Sequence, residues 1–220
     1  MMALALFDLD HTLLDGDTDV LWCEFLMDAG VLERERFSSS NRQMEADYQA
    51  GLVSPAAFSE FYVSTLAGQA REFWQPWRER FLATVIVPRI GTEARGLVEQ
   101  HRTAGDRLVM TTATSRYLTE LTAAHLGFTH LLATEVEEGA QGFTGRTRDV
   151  LNMREGKVLR LTRWMAEEAM PERLLEQSTF YSDSHNDLPL LRAVGKPVAV
   201  NPDATLTAEA TTKRWKILRW

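Results

Sequence analysis

The sequence predicts an α/β fold: a parallel, Rossmann-like sheet with helices on both faces, plus a bundle of helices inserted after the first strand. Three observations carry this. Four short apolar runs end in polar turn residues, as buried parallel strands do. Helical periodicity lies between them, and strand alternating with helix is the pattern of a parallel sheet. Residues 17 to about 84 break the alternation with successive helical patterns and no strand-like run.

The first strand is "ALALF" (3–7), followed by the turn-rich "DGDTD". Val20, Leu21, Trp22, Phe25 and Leu26 open the helical region. Phe58, Phe61, Tyr62 and Leu66 continue it at i, i+3, i+4 and i+8, and Phe73, Trp74, Trp77 and Phe81 close it, three or four helices in all. Pro88 and Gly91 mark the return to the sheet. Helices are expected over 92–103, 115–126, 155–169 and 186–194. The remaining strands are "RLVMTT" (107–112), "STFYSD" (178–183) and "KPVAVN" (196–201). In 155–169, Val158, Leu161, Trp164 and Met165 recur at helical spacing, and the Gly-rich "EVEEGAQGFTGRT" (135–147) suits a small β-hairpin. The expected division is a core of residues 1–16 and 85–220 and a helical domain of residues 17–84.

A chain of 220 residues buries roughly 70% of its unfolded surface, enough for a core without staples. Its 45% hydrophobic and 25% charged residues are those of an ordinary globular protein. A net charge of −7 argues against nucleic acid or an anionic membrane as a partner, though local charge can still favour a small anion. The lone Cys23 excludes an intrachain disulfide and a cysteine zinc site, and "VLWCEFLM" reads as a buried apolar stretch around it. No run approaches the roughly 18 apolar residues of a membrane span. No basic segment precedes the first apolar run, so the expected compartment is the cytoplasm.

Ligands of open parallel sheets bind beyond the carboxyl ends of the strands. Polar clusters fall at those ends: Asp8 and Asp10; Thr111, Thr112 and Thr114; Asp183 and Asp187 in "SDSHND"; and Asn201. Each alone has a plain reading as turn or helix-cap residues. Their convergence on one sheet edge points to a site. Asp8 and Asp10 raise the free energy of ionising one another, which a bound cation or a shared proton relieves. Oxygen donors without cysteine or paired histidines indicate a hard cation, Mg²⁺. His11 and His185 fall within the clusters, and Lys157 opens a helix.

"FDLDHT", "LVMTT", Lys157 and "YSDSHND", in that order, resemble the four motifs of the haloacid dehalogenase-like phosphatases. The helical region after the first motif resembles the cap of their phosphoserine-phosphatase-like branch. The resemblance implies that Asp8 is the nucleophile and Asp10 the general acid/base. It implies that Thr112, the backbone N–H of Ala113 and Lys157 bind the phosphoryl group. Asp8, the Asp10 carbonyl and Asp183 would hold Mg²⁺, with Asp187 supporting them. His11 stands where family members often have Gly or Ser, which alters the mouth of the site.

The implied activity is hydrolysis of a small phosphate ester through an aspartyl-phosphate. In the phosphoserine-specific members of this branch, an early cap acid binds the substrate ammonium and a cap arginine its carboxylate. Asp17 suits the first role, with Asp19 as an alternative. The segment 55–66 holds no arginine, and Tyr62 falls at the expected position; Arg42 is a substitute from another helix. An aromatic residue cannot form the bidentate pair a carboxylate wants. With Phe58, Phe61 and Trp22, Tyr62 suits a flat or apolar group. An amino-alcohol phosphate such as histidinol phosphate is therefore expected over the alternative, phosphoserine. A phosphotransferase such as a mutase is a further alternative. A receiver-type phosphorylation switch fits less well, being about half this length with its acceptor after a later strand.

Overall fold

The computed structural model describes residues 3–50 and 52–220 of the chain. Its sheet, among the described residues, has seven strands. They are β1 (Leu4–Phe7), β2 (Arg107–Ser115), β3 (His130–Gly139), β4 (Gly142–Arg148), β5 (Thr179–Ser182), β6 (Lys196–Val200) and β7 (Lys216–Leu218). The order is β4-β3-β2-β1-β5-β6-β7, parallel throughout except for the β3–β4 hairpin. β1 is central, with Leu6 beside Val109 on one flank and Phe180 on the other.

Alternate residues of each strand feed two separate cores, because successive side chains of a strand point to opposite faces. Ala5, Phe7, Leu108 and Met110 pack on one face against α5 (Thr92–Thr103) and α6 (Arg116–His125). Leu4, Leu6, Val109 and Phe180 pack on the other against α7 (Glu155–Glu167), α8 (Leu188–Ala193) and α9 (Ala204–Lys213). The four predicted strands and the predicted hairpin are present. β2 runs three residues beyond its predicted end, and the predicted helix 186–194 begins as a 3₁₀ turn at His185–Asp187 before α8. The parallel start of β3, α9 and the short edge strand β7 are additions to the predicted elements.

Between β1 and α5 lie α1 (Thr18–Asp28), α2 (Arg34–Gln49), α3 (Pro55–Val63) and α4 (Arg71–Phe81). A π-helical turn, Leu82–Ile86, leads α4 back towards the sheet. Trp22, fully buried, packs edge-on against Trp74 and Phe81 and joins α1 to α4. The buried Arg78 of α4 is 2.6 Å from Glu120 and lies over the Tyr117 ring at 3.8 Å, which ties α4 to α6. Backbone bonds between Phe143 and the segment Gly68–Gln69 tie the hairpin to the same helices. At Gly142 a Cβ would come within 2.3 Å of the Gln69 carbonyl oxygen, so this approach requires glycine.

Candidate active site

β1, β2 and β5 run side by side, and the chain leaving β1 and β5, with the last residues of β2, lines a cavity of about 180 Å³. Asp8 follows β1 directly and its amide donates to the Tyr181 carbonyl of β5 at 2.9 Å, which extends the ladder by one step. Lys157 enters from α7. Gly156 makes that entry possible, since a Cβ there would meet the Leu151 carbonyl oxygen at 2.0 Å. The Lys157 ammonium, buried, donates to Asp8 Oδ1 and Asp187 Oδ2, each at 2.7 Å. Ser182 donates to the same Asp187 oxygen at 2.7 Å.

Asp10 sits on the turn after β1, where Leu9's carbonyl accepts from Thr12, Leu13 and Leu14. Its Oδ1 accepts the Thr18 amide at 2.8 Å and the Thr18 hydroxyl. Its Oδ2 accepts the Thr114 hydroxyl at 2.8 Å and faces the Thr112 hydroxyl at 3.4 Å. Asp17 caps α1 by accepting the Val20 amide at 3.0 Å. Asp19 approaches the Thr114 hydroxyl at 3.4 Å. Asp183 accepts from Thr12 at 3.1 Å.

Six aspartates, Asp8, Asp10, Asp17, Asp19, Asp183 and Asp187, thus line one cavity whose cation is Lys157. Burial pushes the Asp8 carboxyl well above its ordinary range; Lys157 opposes this, while Asp187, Asp183 and Asp10 reinforce it. Burial also pushes Asp183 up to about 6, against the pull of His11. Burial and repulsion from Asp10 push Asp17 up to about 6. Asp19 is raised well above its ordinary value by burial, then by Asp17 and Asp10. Burial works to lower the Lys157 ammonium, but Asp187 and Asp8 overcome it and raise its pKa. Lys157 is therefore charged at any ordinary pH.

This donor set suits a hard cation. Among the described residues no three histidine, cysteine or acidic side chains close on one point as a protein cage would. Mg²⁺ needs no such cage, being held through one or two carboxylates with water and phosphate oxygens. Asp8 and Asp183 would supply that number beside the Asp10 backbone. Asp187 accepts from both Lys157 and Ser182 through Oδ2, which orients the lysine beside Asp8.

The sequence-predicted candidates divide. Asp8, Asp10, His11, Asp17, Asp19, Ala113, Lys157, Asp183 and Asp187 line the cavity. Thr112 is fully buried and turned to Asp10, so Thr114 rather than Thr112 stands on the wall. Tyr62 and Arg42 are not brought there. Tyr62 lies one helical turn beyond Phe58, packs into the helical core and donates to Asn41 Oδ1 at 2.9 Å. Arg42 is exposed on α2 beside a separate hollow with Val20, Glu24 and Phe37. Trp22 is core. His185 turns away to Asp203, 2.8 Å from its Nδ1.

Residues not singled out in the sequence complete the site. The fully buried Asn152 donates to the Thr112 carbonyl at 2.9 Å and the Thr111 hydroxyl at 3.0 Å, which fixes the end of β2 from behind. Ser59, Met153 and Asn186 form the outer wall beside Phe58, which the sequence puts forward with Tyr62. A larger hollow of about 660 Å³ lies across the 11–15 turn and shares only His11 and Asp183 with this cavity; it contains neither Asp8 nor Lys157.

Residues 5–192 match the family model described as haloacid dehalogenase-like hydrolase. A histidinol-phosphatase of Neisseria meningitidis is 37% identical over the full length of both chains. A phosphoserine phosphatase of Mycobacterium tuberculosis is 30% identical, covering 99% of this chain and 70% of its own. The crystal structure of a Bordetella pertussis protein of unknown function is 36% identical and superposes with a TM-score of 0.94, covering 99% of this chain and 98% of that one. With the strand-end aspartates and Lys157 assembled in one cavity, these matches mean that the chain belongs to the haloacid dehalogenase-like hydrolases, as a phosphatase.

Proposed function

We propose that the chain hydrolyses a small amino-alcohol phosphate such as histidinol phosphate, with Mg²⁺ as cofactor and Asp8 as the phosphoryl acceptor. The observation that carries this is the Asp8–Lys157 pair in a cavity holding a second, separately oriented carboxylate, Asp10. Phosphoryl transfer asks mainly for positioning and charge neutralisation. Asp8, whose charged form Lys157 favours against burial and bound Mg²⁺ would favour further, attacks phosphorus and displaces the alcohol. Asp10 protonates the departing oxygen, then takes a proton from the water that cleaves the aspartyl-phosphate. The Ala113 N–H and the Lys157 ammonium face the phosphoryl oxygens. Thr112 and Thr114 orient Asp10. Asp8, the Asp10 carbonyl and Asp183 would hold Mg²⁺, which supplies charge neutralisation on the phosphoryl group when bound.

In this reading residues 17–84 are a cap over a core of residues 1–16 and 85–220, and the cap closes the leaving-group side of the cavity. Asp17 and Asp19 suit an ammonium group there. Among the described residues no arginine lines the cavity, so a carboxylate lacks the bidentate partner it favours. The N. meningitidis relative supports histidinol phosphate. Phosphoserine is the alternative, supported by the M. tuberculosis relative and the same acidic pair. Phosphate release from a panel of phosphomonoesters with Mg²⁺ tests the proposal. The expected order of kcat/KM is histidinol phosphate above phosphoserine, and the reverse order would overturn the substrate choice.

A further inference from the structure

The outer wall of the cavity has a built aromatic face. Phe58 of α3 lines the cavity, and Tyr48 of α2 backs it, with ring centroids 4.3 Å apart and planes 26° from parallel. Tyr62 packs edge-on against Phe58 at 5.3 Å. Phe58 is thus braced from two sides, so little side-chain freedom remains to be lost when a ligand arrives.

Tyr48 is itself held at the far end. Its hydroxyl is 3.5 Å from Arg154 Nη2 and 3.8 Å from Met153 Sδ. Arg154 Nε donates to Asn186 Oδ1 at 3.1 Å, one residue before Asp187. A chain of contacts therefore runs from the stacked pair across to the loop that orients Lys157. Arg154 Nε and Nη2 are engaged in this chain, and the cavity lining carries Asp17 and Asp19 but not Arg154.

We infer that Phe58, backed by Tyr48, is the platform on which a flat ring of the leaving group stacks, and so the residue that sets specificity within amino-alcohol phosphates. This rests on the reading of the cavity as a phosphomonoesterase site. Stacking suits an aromatic or heteroaromatic ring, whose offset-stacked contact adds to the area it buries. A ring carrying partial or full positive charge gains further from the π face and from Asp17 and Asp19, which line the same cavity. The platform gives nothing to a carboxylate.

The test compares two substrates that differ by the ring, histidinol phosphate and 2-aminoethyl phosphate, in wild type, Phe58→Ala, Phe58→Tyr and Tyr48→Ala. The readout is the ratio of their kcat/KM values. Phe58→Ala is expected to lower that ratio about tenfold, chiefly through KM, and Phe58→Tyr to restore it. Tyr48→Ala, which removes the brace, is expected to lower it about threefold. An equal loss on both substrates in Phe58→Ala, or a wild-type ratio near one, would overturn the platform. Circular dichroism and thermal unfolding report folding of each variant, independently of turnover. Phosphoserine is absent from the comparison, so a preference for it would overturn the substrate choice above and leave the platform standing.

Discussion

The Lys157 ammonium stands 2.7 Å from Asp8 Oδ1 and spans to Asp187 Oδ2 at the same distance, all three residues being buried. Both carboxylates depend on this one cation. Lys157→Met should abolish turnover and also destabilise the fold, because removing one partner of a buried pair costs about 3–5 kcal/mol. Urea unfolding at pH 7 would show the loss. It should shrink at acidic pH, where Asp8 takes up a proton. A variant of wild-type stability would mean that the pair is not desolvated as described.

Asp8→Asn should leave no measurable phosphatase activity, since an amide cannot accept the phosphoryl group. Intact mass after quenching with substrate should reveal a phosphorylated species in the wild type and none in the variant. Turnover of the variant near the wild-type rate would exclude covalent catalysis at this position.

Asp10→Asn keeps the backbone carbonyl but cannot carry the proton. The rate should fall roughly 10²–10⁴-fold for alkyl phosphates, the usual worth of general acid/base catalysis. It should fall much less in the first step with aryl phosphates, whose leaving groups need no proton. Burst kinetics with an aryl phosphate would separate the two steps. Equal losses in both would make Asp10 a structural residue.

Asp17 and Asp183 are both held near 6, mainly by burial. Unfolded aspartate titrates near 3.9, so between about 4 and 6 the native protein binds more protons than the unfolded chain. Stability of metal-free protein should therefore fall as pH rises through that window. Mg²⁺ should raise the melting temperature at pH 7 and do little at pH 4.5. Thermal scans with chelator and with Mg²⁺ would check this, and an effect of Mg²⁺ independent of pH would count against it.

Arg42→Ala should change kcat/KM by less than about twofold, as surface substitutions away from special features do little. Tyr62→Phe should cost about 1 kcal/mol through the lost bond to Asn41 and leave substrate preference unaltered. A selective loss on one substrate in either variant would return that residue to the binding site.

The sheet was legible because buried parallel strands announce themselves as short apolar runs, and its aspartates because they interrupt those runs. β7 was not: Lys216–Leu218 is three residues long and only half-buried, so it carries no pattern. The part taken by Thr114, a visible member of its strand-end cluster, was hidden for another reason, as was Asn152. Their roles come from hydrogen bonds to residues 104 and 40 positions away, which leave no local periodicity. Tyr62 was misplaced by a linear alignment. Helical spacing puts Phe58 and Tyr62 on one face, yet a single turn separates a cavity wall from a packed core. α2 meets both rings, through Tyr48 and Asn41, but Tyr62 is packed in the core while Phe58 keeps a side on the cavity.

Thr18 offers both its amide and its hydroxyl to Asp10, and Thr18 is also the first residue of α1. The helix cannot be pried outward without loosening that carboxylate. On the mechanism proposed above, this is an interlock: the proton carrier is aimed only while the helical layer is seated. A ligand or partner that displaced α1 would silence proton transfer and leave the Asp8–Lys157 pair undisturbed, a way of idling the enzyme without dismantling it.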